Sequence, residues 1–506
     1  MHGKKLINNS MIGIVYRVVL LLLGFVTRKI FIVYLGEELL GLNSVYANLL
    51  DLLNLADLGI GVAVQYQLYQ PLVQRDYDKL SRIITAAKRI YNVIGCFILL
   101  AGIILSFVIQ LLIKSTTYPI WYVRGAFLIS MSGVACGYFL VHERLFLQAN
   151  EDVGLVNIID LIAKLVTVIL SLVTTILFSN YFVYLFINAL YGIGSNCLIH
   201  FIFKRKYARI DTKAHGINSE LRTLTSNLKN VVPMKLSNYV YNSTDNVIVS
   251  KVLGLGVVAC YSNYMTIING IMGIEYLLGN AVLPVFGKTI NEENERSKVL
   301  DYYLMFQYVQ FVFTAFCTVS LVVLCKPFII LWVGEHFLAE NVVFILLVAD
   351  FFIHSMYQPA YVMYGATGKF KEDKFVTLAS AVMNIVLSIV MVQFIGLSGV
   401  IVGTLITDIF IWVVRTYQVI KGYFHQKIMG YILKMVKYIL VTIVGLAITL
   451  WISQFVCTDA LMVELLIKAV ICVIVPNVIT VAFTFTSAEF KNTLFFIKKV
   501  IRKGGK

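Results

Sequence analysis

Charged residues and prolines are scarce in this chain of 506 residues. Asp, Glu, Lys and Arg make up 14% of it, and there are only 7 prolines and 4 tryptophans. Hydrophobic residues reach 59%, and the mean hydropathy is +0.84. Soluble globular domains carry about 25% charged residues. The composition therefore excludes that class and predicts a protein that crosses a membrane many times.

Cysteine pairs and catalytic motifs are missing as well. The sequence has 8 cysteines but no CxxC, and all except Cys457 lie within apolar runs, which is typical of small core residues. No HExxH or GxSxG occurs, and Gly287-Lys288-Thr289 lacks the first glycine that a phosphate-binding loop needs, because Val282 stands there. The predicted outside loops are too short for an active-site domain. We therefore expect no enzyme, no metal site and no cofactor.

Long apolar runs are what the chain has instead. A bilayer crossing needs about 20 apolar residues. These runs predict an all-α polytopic membrane protein with about 14 transmembrane helices at 11–34, 39–68, 91–113, 120–140, 153–178, 181–203, 231–253, 257–286, 300–324, 342–364, 375–395, 398–417, 431–456 and 461–485.

The basic residues support this topology. Of the 42 Lys and Arg, 32 fall in alternate segments that start with the N-terminus, and two, Lys114 and Lys326, fall in the segments between them. Positive residues accumulate on the cytoplasmic side, so both termini are predicted to be cytoplasmic. A net charge of +15 also suggests nucleic-acid binding. The charges form short clusters between apolar runs, however, and no nucleic-acid partner is expected.

One segment recurs at a constant offset of 218 residues. Without a gap, the offset places Asp57 on Glu275 and aligns seven identical pairs: Leu35 with Leu253, Gly36 with Gly254, Ser44 with Ser262, Tyr46 with Tyr264, Gly61 with Gly279, Ala63 with Ala281, and Val64 with Val282. Paired repeats are a common plan of secondary transporters. We predict an N-lobe of six helices at 1–210, a C-lobe of six helices at 211–425, and an added helix pair at 426–506.

Ionisable residues within the predicted helices are functional candidates, because each costs about 2.5–3.5 kcal/mol at the bilayer centre. Asp57, Glu275, Asp350 and His354 are the candidates for ion coupling. Asp350 and His354 stand four residues apart, and the spacing fits a proton-titrating pair, a structural hydrogen bond or a position at the membrane interface. Asp160 and Lys164 have the same spacing, and for them an ion pair along one helix is the simpler interpretation.

Two polar faces complete the candidate site. Asn54, Asp57 and Gln65 share one stripe with Gly61 on the second helix, which must face protein or a water-filled cavity. Arg17 and Arg28 are eleven residues apart on the first helix, so they share a face at a separation of about 16 Å. They either snorkel to the two membrane interfaces or bind an anion.

Three segments carry a family resemblance: FVTRKIFIVYLGEELLGLNSVYANLLDLLNLADLGIG, STDNVIVSKVLGLGVVACYSNYMTIING, and GATGKFKEDKF with the later GLSGVIVGT. The chain resembles the polysaccharide-transporter family of oligosaccharide-lipid flippases, in the superfamily that also holds MATE drug exporters and the peptidoglycan-precursor flippase. The resemblance covers the first twelve helices and implies a MATE-like fold of two six-helix lobes.

The resemblance also implies a function, namely alternating-access export of undecaprenyl-diphosphate-linked repeat units for capsule, O-antigen or a related glycan, in the bacterial plasma membrane. In the precursor flippase, first-helix arginines and an added helix pair serve the diphosphate and the lipid tail. Arg17, Arg28 and Lys235 match this cationic pattern by location. Na+ or H+ remains open as the coupling ion, and a glycan polymerase or glycosyltransferases as partners. A multidrug or small-molecule exporter and a non-transporting scaffold are the alternatives.

Overall fold

The computed structural model describes residues 2–53, 60–150, 152–225, 243–292, 296–367, 370–456, 458 and 460–495, and at some helical positions, 2–18 among them, only the backbone. Within these ranges the chain is almost entirely helical and has no strands. The all-α membrane fold predicted from the apolar runs is confirmed.

Eight helices lie before residue 210. They are α1 (His2–Leu35), α2 (Glu37–Leu53), α3 (Ile60–Gln74), α4 (Tyr77–Val108), α5 (Ile120–Tyr138), α6 (His142–Ala149), α7 (Val153–Phe178) and α8 (Tyr181–Lys206). Beyond residue 210, short helical runs cover 218–225 and 488–495. The main helices of this part are α9 (Asp245–Val252), α10 (Leu255–Glu292), α11 (Arg296–Trp332), α12 (Asn341–Ala366), α13 (Phe370–Ile395), α14 (Leu397–Tyr417), α15 (Ile428–Ser453) and α16 (Leu461–Thr484).

Among the described residues, 11 helices are long and apolar enough to cross a membrane. The other three predicted crossings, at 11–34, 39–68 and 231–253, each include positions whose side chains lie outside the described part. The number fourteen therefore stays a prediction, while the multi-pass architecture does not depend on it.

Several helices continue beyond the apolar runs that predicted them. The third crossing was predicted to begin at residue 91, but α4 begins at Tyr77, where the Asp76 carboxylate accepts a hydrogen bond from the Lys79 amide at 2.9 Å. The added turns carry Lys79, Arg82, Lys88 and Arg89. Hydropathy marks where a helix meets lipid, whereas capping decides where it starts.

The repeat has a structural counterpart in two glycines. Gly36 follows α1 with φ of 87°, and Gly254 follows α9 with φ of 103°. Both values lie in the left-handed region, which costs a side-chain-bearing residue about 1–2 kcal/mol. The aligned glycines thus both have left-handed φ, and each lies just before a repeat helix, α2 in one case and α10 in the other.

The chain divides into two compact units, Met1–Ser262 and Asn263–Lys506. In the first unit, α7 packs against α1 and α8, and α5 packs against α4 and α8. Gly133 of α5 lies so close to Ala189 of α8 that an added Cβ would stand 2.6 Å from its Cα. Small residues of this kind allow membrane helices to approach closely.

In the second unit, α14 packs against α12 and α13, and α11 packs against α12, α15 and α16. The rings of Phe311 on α11 and Tyr438 on α15 stack with centroids 3.9 Å apart. The added helix pair is therefore part of the core of the second unit. The predicted lobes at 1–210 and 211–425 are repeat units defined by sequence, and they remain a prediction.

Candidate functional site

A buried polar cluster occupies the second unit where α10, α12 and α14 meet. His354 of α12 and Asp408 of α14 are both buried, and the imidazole Nδ1 lies 3.0 Å from Asp408 Oδ2. The hydroxyl of Tyr357 lies 2.9 Å from the same nitrogen, and that of Tyr276 lies 3.3 Å from Nε2. Both ring nitrogens are thus engaged by polar groups from three helices.

Glu275 adds a second carboxylate to this cluster. It lies on α10 next to Tyr276, is 2% exposed, and accepts a hydrogen bond of 3.0 Å from Gln310 Nε2 on α11. It also interacts electrostatically with His354. A buried charge of this kind is costly unless it is paired or hydrogen-bonded, so α10 to α12 hold Glu275 and His354 as one polar patch.

The structure gives His354 a carboxylate from another helix. Asp350 and His354 both lie on α12, and Asp408, 54 residues further along the chain, contacts the imidazole. Spacing along a single helix does not reveal which acid a neighbouring helix supplies. The coupling roles of Glu275, Asp350 and His354 stay predictions.

The sequence predicts no role for Asp408, Tyr276, Tyr357 or Gln310. Asp408 is fully buried. Its position as an acid within the apolar run 398–417 is the signal that the sequence offers for it. Arg415 lies two turns beyond Asp408, also buried, with its guanidinium 4.7 Å from the ring centre of Tyr361.

Arg28 is a predicted anion-binding residue in the first unit, and the structure describes its side chain. It lies partly buried on α1, and its Nη2 donates a hydrogen bond to Ser262 Oγ. Ser262 also accepts a bond of 3.2 Å from Ser44, its counterpart in the repeat. Leu22, Val26 and Val33, on the opposite side of α1, are exposed. Arg28 therefore points away from the lipid face.

The remaining predicted site residues are placed only in part. Gln65 lies on α3, and its Nε2 donates a hydrogen bond of 2.8 Å to Gln148 Oε1 of α6. Asn54, Asp57 and Lys235 lie outside the described residues, and so does the side chain of Arg17, whose backbone belongs to α1.

The predicted ion pair between Asp160 and Lys164 is wrong. Arg144 of α6 binds Asp160 through two bonds, Nη1 to Oδ2 at 2.6 Å and Nη2 to Oδ1 at 2.9 Å, and also reaches Asn196. Lys164 instead lies over the ring of Tyr191, 5.0 Å from its centroid. A planar guanidinium matches a carboxylate in two places at once, which an ammonium cannot do.

Glu143 and His142 are titratable residues of α6, in the first unit, and they lie outside the spans that are apolar enough to cross a membrane. Glu143 of α6 is 1% exposed, and His200 Nδ1 is 2.8 Å from its carboxylate. Burial raises the pKa of Glu143. Burial, together with Lys88, lowers the pKa of His142 to about 4. His142 is therefore neutral at physiological pH, which suits a structural role in seating α6.

The cluster in the second unit brings an imidazole and two carboxylates together, and ionisable groups inside membrane proteins mark ion and proton paths. Arg28, in contrast, suits an anion, because its guanidinium grips oxyanions in two places. The described residues therefore offer a cation in the first unit and a patch of buried ionisable groups in the second.

The sequence matches no protein-family model and no curated protein. Among solved structures, the chain is similar to a lipid II flippase, MurJ, in an inward closed conformation, with a TM-score of 0.70 and 17% identity over 94% of this chain and 98% of that one.

The chain is also similar to an inward-facing multidrug resistance MATE family transporter of the MOP superfamily, with a TM-score of 0.67 and 14% identity over 80% of this chain and 96% of that one. A MOP superfamily transporter from Pyrococcus furiosus, described as having a binding pocket of reverse polarity, gives a TM-score of 0.54 and 15% identity over 81% of this chain and 94% of that one. The chain therefore has the fold that these MOP superfamily transporters share.

Proposed function

We propose that this protein is a flippase that exports undecaprenyl-diphosphate-linked oligosaccharide repeat units from the inner to the outer leaflet by alternating access, for cell-surface polysaccharide synthesis. It would act in the bacterial plasma membrane with both termini in the cytoplasm. A glycan polymerase or glycosyltransferases would be its partners, and Na+ or H+ its coupling ion.

The observation that carries this proposal is an apolar groove in the second unit. It has a volume of about 470 Å³ and runs between α10, α11, α16 and the residues that follow α16. Its lining includes Leu278, Val309, Phe313, Val481 and Leu494. A polyprenyl chain gains about 0.8 kcal/mol for each CH2 that leaves water, and this groove offers several isoprene units a fixed place in the protein.

The added helix pair supports the same assignment. The similarity to the lipid II flippase covers 94% of this chain, whereas that to the MATE transporter covers 80%, a difference about the size of α15 and α16 with their flanks. In addition, α16 forms one wall of the groove in which we place the lipid tail.

The decisive test uses purified protein in liposomes that contain a fluorescent undecaprenyl-diphosphate-linked oligosaccharide. Its appearance in the opposite leaflet is measured with a membrane-impermeant glycosidase. Movement of this substrate supports the proposal. Val309→Trp, which fills the groove, should slow the movement about tenfold, corresponding to about 1.4 kcal/mol. Val413→Trp, at a position 60% exposed on α14, is the matched control and should leave it unchanged.

A MATE-like ion-coupled exporter of small molecules is the second candidate, and the buried cluster of Glu275, His354 and Asp408 favours it. The same liposomes, loaded with ethidium, distinguish the two. Ethidium export without glycan movement would establish this alternative. Movement of neither substrate would contradict both transport assignments and leave a scaffold in a glycan-synthesis complex.

A further inference from the structure

Lys164 has an unusual position on α7. The exposed residues of this helix form one stripe, which is the face toward lipid: Ile158, Ile162, Val166, Ile169 and Val173. The buried polar residues form the opposite stripe: Asp160, Thr167, Ser171 and Thr175. With 3.6 residues per turn, Lys164 falls in the middle of the second stripe. It is only partly buried there, although its polar neighbours on the stripe are buried.

Among the described residues, Lys164 has no acidic partner. Asp160, the carboxylate one turn away, is held by Arg144 and also accepts a hydrogen bond from Ser195. Within the part of the chain that the structure describes, no carboxylate lies within ion-pair distance of Lys164, and its recorded contact is the ring of Tyr191. An intramembrane ammonium that faces away from lipid and is not neutralised marks a place where an anion is received.

The depth of Lys164 in the membrane can be compared with the depths of Arg17 and Arg28 on α1. Helices α1 and α7 pack together, and the predicted topology makes both run outward. Their outer ends lie within about one turn of each other, because the ring of Phe31, four residues before the end of α1, contacts Tyr181 and Tyr184 in the first turn of α8, with centroids 5.9 and 4.9 Å away.

Depth can then be counted from the ends of these helices, at Leu35 and Phe178. With a rise of 1.5 Å per residue, Arg28 lies about 10 Å and Arg17 about 27 Å below the end of α1, and Lys164 lies about 21 Å below the end of α7. Lys164 therefore lies deeper than Arg28 and within about two turns of the level of Arg17, and the two arginines are themselves too far apart to hold one diphosphate together.

We propose that Lys164 is a third anion-binding residue, which holds the diphosphate of the substrate at mid-membrane as it passes from Arg17 to Arg28. This inference rests on the proposed function. The ammonium suits a transfer site, because it offers a point charge on a flexible stem and does not fix the phosphate orientation as a guanidinium does. The ring of Tyr191 holds the stem without neutralising the charge.

The first test asks whether Lys164 faces water. Lys164→Cys and Val166→Cys are prepared in a background without the native cysteines and treated with 2-sulfonatoethyl methanethiosulfonate, an anionic reagent. Lys164→Cys should react, and geranyl diphosphate should protect it, whereas Val166→Cys on the lipid face should not react. Equal reactivity at both positions would overturn the placement.

The second test measures binding of geranyl diphosphate to the purified full chain by native mass spectrometry. Lys164→Gln should weaken binding about tenfold or more, since a charge-assisted hydrogen bond to phosphate is lost. Lys164→Arg, which keeps the charge, should stay near the wild-type affinity. Lys468→Gln is the matched control, because Lys468 is an intrahelical lysine that Glu464 neutralises, and it should change nothing.

The outcomes separate this inference from the proposed function. Wild-type affinity in Lys164→Gln, or no binding by the wild type, would overturn the role of Lys164 whatever the transport assay shows. Failure of the wild-type protein to move the lipid-linked oligosaccharide would instead overturn the proposed function. Weakened binding in Lys164→Gln with rescue by Lys164→Arg supports the inference in either case.

Discussion

The two compact units place different kinds of ionisable side chain away from lipid. In the first unit, Arg28 on α1 and Lys164 on α7 both lie opposite the lipid faces of their helices, while Asp160 is neutralised by Arg144. In the second unit, Glu275 and Asp408 are buried around His354, and Arg415 lies two turns from Asp408.

This contrast between the two units is more informative about their ligands than the net charge of the chain is. Any charge is costly inside a membrane. We therefore interpret the different ionisable side chains of the two units as a sign that the units receive different ligands. Fixed cations suit an anion such as a diphosphate, whereas a histidine with carboxylates suits a proton or a small cation. We interpret the first unit as the surface for the substrate headgroup and the second as the site of coupling.

The largest effect should come from the arginines of α1. We expect Arg17→Ala to abolish export and Arg17→Lys to restore it only in part, because an ammonium cannot bind phosphate in two places. Arg28→Ala should slow release more than uptake, since Arg28 lies nearer the outer side. The measurement is the appearance of lipid-linked glycan in the outer leaflet, with protein level checked in parallel.

Lys29→Ala is the control for this experiment, because Lys29 is an exposed neighbour on α1. Normal export by well-expressed Arg17→Ala and Arg28→Ala variants would remove the contrast between the units. Both arginines would then be interface anchors.

Breaking the pair in the second unit should separate coupling from transport. We expect Asp408→Asn and His354→Gln to reduce export driven by an imposed pH gradient by about tenfold, corresponding to about 1.4 kcal/mol. Exchange of substrate without a gradient should continue. Asp301→Asn, an exposed acid on α11, is the control.

The comparison between gradient-driven export and exchange decides this prediction. Equal losses of both would mean that His354 and Asp408 act only on folding or on substrate. A response to a sodium gradient that survives in Asp408→Asn would assign the coupling ion to another group.

A smaller effect, on stability alone, is expected from the pair of Arg144 with Asp160. Removing one partner of a buried ion pair costs about 3–5 kcal/mol, because the other charge stays buried. Arg144→Ala should therefore lower the unfolding free energy in detergent by about this amount. Arg82→Ala breaks the pair with Glu220, in which the Arg82 side chain is 40% exposed, and should cost about 0–1 kcal/mol. Equal costs would show that Asp160 is not isolated from water.

The smallest effect tests the repeat. Gly36→Ala and Gly254→Ala should each destabilise the protein by about 1–2 kcal/mol, because both positions have φ in the left-handed region. Gly137→Ala is the control, since nothing lies within 4 Å of its added Cβ and helical alanine is favoured over glycine. A marked difference between Gly36→Ala and Gly254→Ala would argue against structural equivalence of the repeats.

The sequence by itself determined the class of fold and most of the helices. A bilayer requires about 20 consecutive apolar residues per crossing, and that requirement acts on local sequence. The aligned glycines at 36 and 254 can also be identified from the sequence, because they belong to the repeat at an offset of 218 residues. Helix ends such as the start of α4 at Tyr77 were less accessible, because they depend on caps such as Asp76 rather than on hydropathy.

The residues of the candidate site could likewise be predicted only in part. Arg28, Glu275 and His354 were found because an isolated charge in an apolar run is a strong local signal. Their partners were not found, because Ser262, Gln310 and Asp408 come from other helices. Which acid meets which base depends on how side chains of different helices face one another, and periodicity along one helix does not contain that information.

Asp160 and Lys164 show this most clearly. Four residues apart on α7, they fit the rule for an ion pair along a helix, and the rule failed because α6 supplied Arg144, whose planar guanidinium binds the carboxylate better. Only the tertiary structure shows that Arg144 binds Asp160 and that Lys164 is partly exposed on the face away from lipid. Local sequence placed both charges at mid-membrane, and packing between helices decided which of them was neutralised.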